Sequence, residues 1–153
     1  MLREWFQSFW QPKKAEPSPV KVLIIEDSRV DAEMIKKAVA VCGFNSLVAY
    51  DGKTGIEMAR EHKPDLIILD YHLPDTNGGK VLEALRLGEG TCAETVMVLT
   101  VLNNPGVVMD SFANGADQYF TKPISISLLA KEIRLMLHYP HQVRNIMSDL
   151  RDI

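Results

Sequence analysis

The sequence predicts an α/β fold in which helices cover both faces of a five-stranded parallel sheet. Five short apolar segments occur along the chain, and a longer stretch with helical spacing of apolar residues follows each one. The short segments are almost continuously apolar, which is typical of strands buried on both faces of a parallel sheet. The chain has 153 residues, of which 46% are hydrophobic and 24% charged, enough for one domain with a real core.

The five predicted strands have the length and the apolar content expected of buried strands. They are residues 20–26 (VKVLIIE), 45–50 (NSLVAY), 65–70 (DLIILD), 95–101 (TVMVLTV) and 117–122 (DQYFTK). Because each is separated from the next by a helix-length segment, the strands are predicted to run parallel.

The stretch after each strand carries a repeat of three to four residues, as one face of a helix does. The repeating positions are Val30, Met34, Ala38 and Cys42; Ile56, Ala59 and Lys63; Val81, Leu82 and Leu85; Val107, Val108, Ser111 and Phe112; and Leu129, Ile133 and Leu137. Gly43, Gly88 and Gly115 follow three of these stretches, where a helix C-terminus favours a residue tolerant of positive φ. Ser125 precedes the last stretch and is predicted to cap it.

Composition and charge disfavour several classes of function. The net charge of −3 argues against a nucleic-acid surface, which needs Lys and Arg gathered on one face. No segment approaches the ~18 consecutive apolar residues of a membrane span, and Glu4 interrupts any signal-peptide apolar region. Cys42 and Cys92 lack metal-binding spacing. We therefore expect two reduced thiols in a cytoplasmic protein.

Polar residues gather where the predicted strands end. Glu26 and Asp27 follow the first strand, Asp70 the third, Thr100 the fourth and Lys122 the fifth. In open parallel sheets, ligands bind at the carboxyl ends of the strands, so these side chains are expected to lie together. Asp70 directly follows four apolar residues, and a buried carboxylate without a partner is costly. A cation is therefore expected opposite it.

These residue types indicate one kind of chemistry. Clustered carboxylates repel one another unless a cation lies among them, and Mg²⁺ prefers such oxygen ligands. Lys122 is a point charge able to pair with Asp70 or with a phosphoryl oxygen, and Thr100 offers a hydroxyl donor. An aspartate beside Mg²⁺ and an ammonium group can act as a nucleophile toward phosphorus. The sequence thus predicts a magnesium-dependent phosphoryl-accepting site.

Four motifs, in this order, resemble the receiver domain of bacterial two-component response regulators, closest to the single-domain, chemotaxis-regulator-like members. They are the pair Glu26-Asp27, Asp70 in LDYHLPDTNG, Thr100 in VLT, and Lys122 with Pro123 in YFTKP. The resemblance implies a flavodoxin-like, doubly wound sheet of strand order 2-1-3-4-5 with five helices in three layers. It covers residues 20–138. We expect residues 1–19 to form an N-terminal extension and linker, and residues 139–153 a C-terminal helical extension.

The resemblance also implies roles for individual residues. Asp70 would accept a phosphoryl group from a histidine kinase or a phosphotransfer protein. Asp27, Asp70 and the backbone carbonyl of His72 would hold Mg²⁺, with Glu26 acting through water. Lys122 and Thr100 would grip the phosphoryl oxygens.

A conformational switch is implied as well. Movement of Thr100 toward the phosphoryl group would bias Tyr119 from an outward to an inward rotamer. That shift would remodel a surface formed by the fourth helix, the fifth strand and the fifth helix, to which an unknown downstream protein binds.

Some positions depart from the family pattern or modulate it. Val101 follows Thr100 where the family usually has a small residue, so its methyl groups are expected to restrict access to Asp70. His72 and Asn103 occupy positions that tune hydrolysis in the family. Pro123 matches a position where the family often has a cis peptide bond.

Both ends of the chain lie outside the resemblance. Trp5, Phe6, Phe9 and Trp10 would form one apolar stripe if residues 1–10 were helical. That stripe either packs on its own domain or contacts a partner or a membrane surface. At the other end, Val143, Ile146, Leu150 and Ile153 recur at heptad-like intervals. They are expected to fold back on the domain, to pair with a second subunit in a homodimer, or to lead into an output domain outside this chain.

Two alternatives to a phosphorylated switch remain open. The chain could be a receiver-fold docking module with little phosphorylation, a reading that only Val101 favours. It could also be a metal-dependent phosphohydrolase with an aspartyl nucleophile. Those enzymes place a second acid two residues after the nucleophile, where this chain has His72. The leading expectation is a signalling protein that only phosphorylates and dephosphorylates itself, rather than an enzyme.

Overall fold

The computed structural model of the protein describes residues 19–88 and 95–138, which form a five-stranded sheet and five helices. The strands are β1 (Lys21–Ile25), β2 (Asn45–Ala49), β3 (Leu66–Leu69), β4 (Thr95–Thr100) and β5 (Gln118–Thr121). The helices are α1 (Arg29–Val41), α2 (Gly52–His62), α3 (Gly78–Leu87), α4 (Pro105–Ala113) and α5 (Ile126–His138). Each predicted strand and helix is present, and each strand is one or two residues shorter than predicted, with no end displaced by more than one residue.

The sheet is parallel throughout and has the strand order β2-β1-β3-β4-β5. The predicted flavodoxin-like α/β fold is therefore confirmed. Ile25 at the end of β1 pairs with Leu69 at the end of β3, and Thr100 at the end of β4 pairs with Thr121 in β5. Because these strand ends are level, the residues that follow them emerge at one edge of the sheet.

Alternate residues of the buried strands point to opposite faces of the sheet and belong to two separate hydrophobic cores, one on each face. In β1, Val22 and Ile24 pack with Ile35 of α1 and Ile133 of α5. The opposite face carries Leu23 and Ile25 with side chains from α2, α3 and α4. Two helices therefore cover one face and three cover the other, which gives the predicted three layers.

Helix ends follow the predicted chemistry with one exception. Ser125 accepts a hydrogen bond from the Leu128 N–H at 3.2 Å, as predicted for a capping residue. Gly43 and Gly115 have φ of 77° and 103°, in the region that favours glycine. The prediction for Gly88 was wrong, because it ends α3 with φ −73° and ψ 126°, an extended backbone that any residue adopts. Lys63 instead takes the left-handed conformation, at the end of α2.

The remaining sequence-based expectations concern the two cysteines, the two ends of the chain and membrane spans. The Cys42 thiol is free and half-buried, and it donates a hydrogen bond to the Ala130 carbonyl at 3.3 Å. Cys92, residues 1–18 and residues 139–153 lie outside the described residues. Within the described segments, none of the helices has both the length and the apolar character needed to cross a bilayer.

Candidate functional site

Three carboxylates meet at the carboxyl edge of the sheet. Glu26 and Asp27 follow β1, Asp70 follows β3, and one oxygen from each lies within 4.8 Å of the other two. The sheet itself positions them, because the Asp70 N–H donates to the Ile25 carbonyl at 2.9 Å. Glu26 is 1% exposed and Asp70 8% exposed, whereas Asp27 is open to solvent. The predicted acidic group is therefore assembled, with two of its members buried.

The cation expected opposite Asp70 is Lys122. It follows β5, and its ammonium nitrogen lies 2.6 Å from Glu26 Oε2 and 3.2 Å from Asp70 Oδ2. A third carboxylate oxygen, Oδ2 of Asp31 in the first turn of α1, lies 2.8 Å away. All three hydrogens of the ammonium group thus have carboxylate acceptors.

Burial and hydrogen bonding shift the pKa values of Glu26 and Lys122 in opposite directions. Burial raises the pKa of Glu26 to about 7, and the charge of Asp70 adds to the rise, although hydrogen bonds from Lys122 and the Ser28 N–H work against it. For Lys122, burial alone would lower the pKa. The hydrogen bonds to Asp31 and Glu26 outweigh burial, so its pKa lies above its usual value. The lysine remains charged, while Glu26 holds its proton more tightly than an exposed glutamate does.

The same carboxylates suit a hard divalent cation. Oxygen ligands from Glu26, Asp27 and Asp70 are close enough to share one ion, and mutual repulsion favours a cation among them. The backbone N–H of His72 donates to Asp70 Oδ1 at 3.1 Å, so the loop after β3 closes over this side of the site. The role of the His72 carbonyl as a metal ligand stays a prediction. The imidazole of His72 is exposed.

The side chains of Thr100 and Tyr119 both form hydrogen bonds with the backbone of Leu102. The hydroxyl of Thr100, which is fully buried, accepts a hydrogen bond from the Leu102 N–H at 3.4 Å. The hydroxyl of Tyr119 donates to the Leu102 carbonyl at 2.5 Å, and its ring packs against Phe112 with a centroid distance of 6.4 Å. Burial and the nearby charge of Asp70 raise the pKa of Tyr119. Tyr119 is thus half-buried and fixed to the loop after β4.

The predicted modulating residues follow strands that end at the carboxyl edge of the sheet. Val101 is 65% exposed, and Asn103 is exposed in the same loop. The peptide bond between Lys122 and Pro123 is cis, as the family resemblance suggested. The effects of Val101, Asn103 and His72 on phosphorylation stay predictions.

This arrangement of strand ends, acidic cluster and lysine agrees with the comparison of the sequence with known families. A model of the response regulator receiver domain matches residues 22–134. The chain belongs to the response regulator receiver domain family. The predicted resemblance is therefore confirmed over most of the chain.

Individual relatives agree with this assignment. The receiver domain is 27% identical over 119 residues to the polar-differentiation response regulator DivK of Brucella anthropi, covering 78% of this chain and 97% of DivK. It is 35% identical over 125 residues to the probable transcriptional regulatory protein TcrX of Mycobacterium tuberculosis, covering 82% of this chain and 53% of TcrX. The chain spans about half the length of TcrX and of two other curated relatives that it matches.

Solved structures show the same fold. The receiver domain of the Francisella response regulator 1452 has a TM-score of 0.71 and 27% identity, covering 80% of this chain and 99% of that one. The CheY-like receiver domain protein from Methanospirillum hungatei JF-1 has a TM-score of 0.73 at 24% identity, covering 82% of this chain and 98% of the other. The second likeness supports the fold alone.

Two contacts of this receiver domain were not predicted from the sequence. One is the contact of Asp31 with Lys122 described above. The other involves Tyr71, which follows Asp70 in the chain. Its hydroxyl donates a hydrogen bond of 2.6 Å to Oδ2 of Asp110 in α4. Burial is the largest cause that raises the pKa of Tyr71 to about 12, and this hydrogen bond and the charge of Asp110 add to the rise. The receiver domain thus has a direct contact between the loop after β3 and α4.

Proposed function

We propose that the chain is a phosphoacceptor switch, in which Asp70 takes a phosphoryl group from a histidine kinase or a phosphotransfer protein in a reaction that depends on Mg²⁺. The observation that carries the proposal is the buried contact of Lys122 with Asp70 and Glu26 beside the exposed Asp27. A nucleophilic carboxylate, a metal-binding acidic group and a fixed ammonium group are the parts that phosphoryl transfer to an aspartate requires.

In the proposed step, an oxygen of the Asp70 carboxylate forms a bond to phosphorus. The bond from phosphorus to the donor histidine nitrogen breaks, and that nitrogen keeps the electron pair. Lys122 donates a hydrogen bond to Asp70 before the step and then donates one to a phosphoryl oxygen. The buried hydroxyl of Thr100 supplies a second donor to the phosphoryl group.

Glu26, Asp27, Asp70 and the backbone carbonyl of His72 are the proposed magnesium site. When bound, Mg²⁺ supplies positive charge that neutralises the transferring oxygens. The burial of Glu26 supports this assignment, because burial raises the pKa of this carboxyl group to about 7, and a nearby cation favours the ionised form.

The proposed switch runs through Leu102. Thr100 and Tyr119 bond to the N–H and the carbonyl of this one residue, so a shift of the Thr100 hydroxyl toward a phosphoryl group removes one of the two contacts that hold the loop. This loss biases Tyr119 from an outward to an inward rotamer, which changes its ring contact with Phe112. The two rotamers differ in the surface that β5 and α4 present, which is the basis of a population shift.

The surface of α4, β5 and α5 is the proposed binding site for a downstream protein. Met109 of α4 is 72% exposed and Leu128 of α5 is 45% exposed, so this face offers apolar contacts to a partner. Response regulators in general act between histidine kinases and downstream targets, and we propose the same for this chain in the cytoplasm. Homodimer formation and a role for residues 1–10 at a partner or membrane surface stay predictions.

The proposal is tested by intact-protein mass spectrometry after incubation with Mg²⁺ and acetyl phosphate, a small phosphodonor. We expect a gain of one phosphoryl group in the wild type, and no gain in the Asp70→Asn variant or with EDTA. A phosphoryl group that persists in Asp70→Asn would show that another residue is the acceptor. No gain in the wild type would favour the docking-module alternative. Steady hydrolysis of phosphate esters that is lost in Asp70→Asn would instead favour the phosphohydrolase with an aspartyl nucleophile.

Substitution of Val101 by alanine is expected to accelerate phosphorylation by acetyl phosphate several-fold. Val101 follows Thr100 in the chain, and its side chain is 65% exposed. If it restricts access to Asp70, as the sequence predicts, removing its two methyl groups opens the approach. The time course of the phosphorylated mass measures this rate. The matched control is Val30→Ala, because Val30 is also an exposed valine (80% exposed) but lies on α1. Equal rates for Val101→Ala and wild type would refute the steric role.

A further inference from the structure

We propose that Asp31 is a positioning residue that fixes the direction in which the Lys122 ammonium group faces Asp70. This inference rests on the proposed role of Asp70 as phosphoacceptor. Asp31 does not follow a strand and is not in the three-carboxylate group that could hold a metal ion. It acts on the site only through Lys122.

The argument starts from the geometry of an ammonium group. Its three hydrogens point in tetrahedral directions, so when two of them are fixed the direction of the third is fixed as well. Lys122 makes its two shorter contacts with Glu26 at 2.6 Å and Asp31 at 2.8 Å, and its longest contact with Asp70 at 3.2 Å. Glu26 and Asp31 thus determine where the third hydrogen points, and it points at Asp70.

Both of these partners are themselves held by Ser28, which caps α1. The Ser28 N–H donates to Glu26 Oε1 at 3.0 Å, and the Ser28 hydroxyl accepts from the Asp31 N–H at 3.3 Å. Glu26 therefore presents its other oxygen to Lys122, and the backbone of Asp31 is fixed in the first turn of the helix. The two partners of Lys122 are parts of one local structure at the junction of β1 and α1.

This arrangement fits a change of acceptor on phosphorylation. A phosphoryl oxygen would take the third hydrogen, which now goes to Asp70, while Glu26 and Asp31 keep theirs. The lysine would then need no reorientation when the phosphoryl group arrives, and preorganised donors of this kind lower the barrier to group transfer. Without Asp31, Glu26 would be the only short contact that holds the Lys122 ammonium group, and the longer contact with Asp70 would no longer be fixed in direction.

Two substitutions separate positioning from charge. Asp31→Asn removes the negative charge but keeps an oxygen that accepts the hydrogen bond from Lys122, whereas Asp31→Ala removes both. If Asp31 positions Lys122, we expect Asp31→Ala to slow phosphorylation by acetyl phosphate roughly tenfold at saturating Mg²⁺, and Asp31→Asn to stay within about threefold of wild type. Glu33→Ala, an exposed carboxylate on the same helix paired with Lys36, is the control and should not change the rate. Equal rates for Asp31→Ala and wild type, or equal effects of the two Asp31 variants, would overturn the inference.

A second measurement needs no phosphorylation. In ¹H–¹⁵N spectra of side-chain ammonium groups, Lys122 should give a signal with slow hydrogen exchange, because its side chain is 8% exposed and three acceptors hold it. A Lys122→Met spectrum assigns the signal. We expect Asp31→Ala to broaden or shift it, and Asp31→Asn and Glu33→Ala to retain it. An unchanged signal in Asp31→Ala overturns the positioning role even if Asp70 is phosphorylated. If the wild type takes no phosphoryl group, the proposed function fails, and the spectrum alone still decides the role of Asp31.

Discussion

Substitution of Lys122 by methionine is expected to lower the free energy of unfolding at pH 8 by about 3 kcal/mol, because it leaves buried carboxylates without their cation. Methionine keeps the length and the apolar stem of lysine but removes the charge. The Lys122 side chain is 8% exposed, and its partners Glu26 and Asp70 are 1% and 9% exposed at the side chain. Water therefore cannot readily replace the ammonium group. Urea denaturation in EDTA measures the effect.

The matched control for this variant is Lys36→Met. Lys36 pairs with Glu33 at 3.0 Å, but its side chain is 42% exposed, so that substitution is expected to change stability by less than about 1 kcal/mol. The loss in Lys122→Met should shrink at pH 5, since protonation of Glu26 removes one of the unpaired charges. An unfolding midpoint for Lys122→Met equal to that of wild type would show that the carboxylates need no cation.

The metal-free protein is expected to lose stability as the pH rises from about 4.5 to about 7, and Glu26 is the reason. Burial raises the pKa of Glu26 from its ordinary value of 4.5 to about 7 in the folded protein. The folded state therefore binds a proton in this pH range that the unfolded state releases, so the contribution of Glu26 is complete below pH 4.5 and is lost as the pH passes 7. The expected loss is on the order of 2 to 3 kcal/mol.

The Glu26→Gln variant isolates this contribution. Glutamine resembles the protonated glutamate, and it has no charge to lose, so the pH dependence assigned to Glu26 should be absent. The variant should match wild type near pH 4 and be more stable than wild type near pH 8, both in EDTA. Urea denaturation of both proteins across this pH range supplies the comparison. If the stability of both proteins changed with pH in the same way, the pH dependence would come from a group other than Glu26.

The sheet edge could be predicted from the sequence because it depends on local patterns. Nearly continuous apolar runs mark buried parallel strands, and the residues after such strands necessarily share an edge. Glu26, Asp70, Thr100 and Lys122 are where this reasoning placed them. Prediction of the strand order 2-1-3-4-5 came from the family resemblance rather than from periodicity.

Asp31 was missed because it lies in a helix rather than at a strand end. A signal was present, since Asp31 lies four residues after Asp27 and three after the capping residue Ser28, in the first turn of α1. Nothing local indicates that this turn faces β5, which lies about ninety residues further along the chain. The hydrogen bond between Tyr71 and Asp110 escaped prediction for the same reason. Gly88 was mispredicted because a glycine after a helix favours positive φ only as a tendency, and its backbone here is extended.

The contacts of Lys122 have a consequence for how the domain folds. Its three partners lie 96, 91 and 52 residues earlier in the chain, so these contacts close long loops and need all five strands in place. An intermediate in which β1 to β4 had paired without β5 would contain the carboxylates without their lysine. Electrostatic repulsion at the sheet edge then opposes its compaction. Protons or divalent cations in the refolding buffer should favour that intermediate, and docking of β5 makes their help unnecessary.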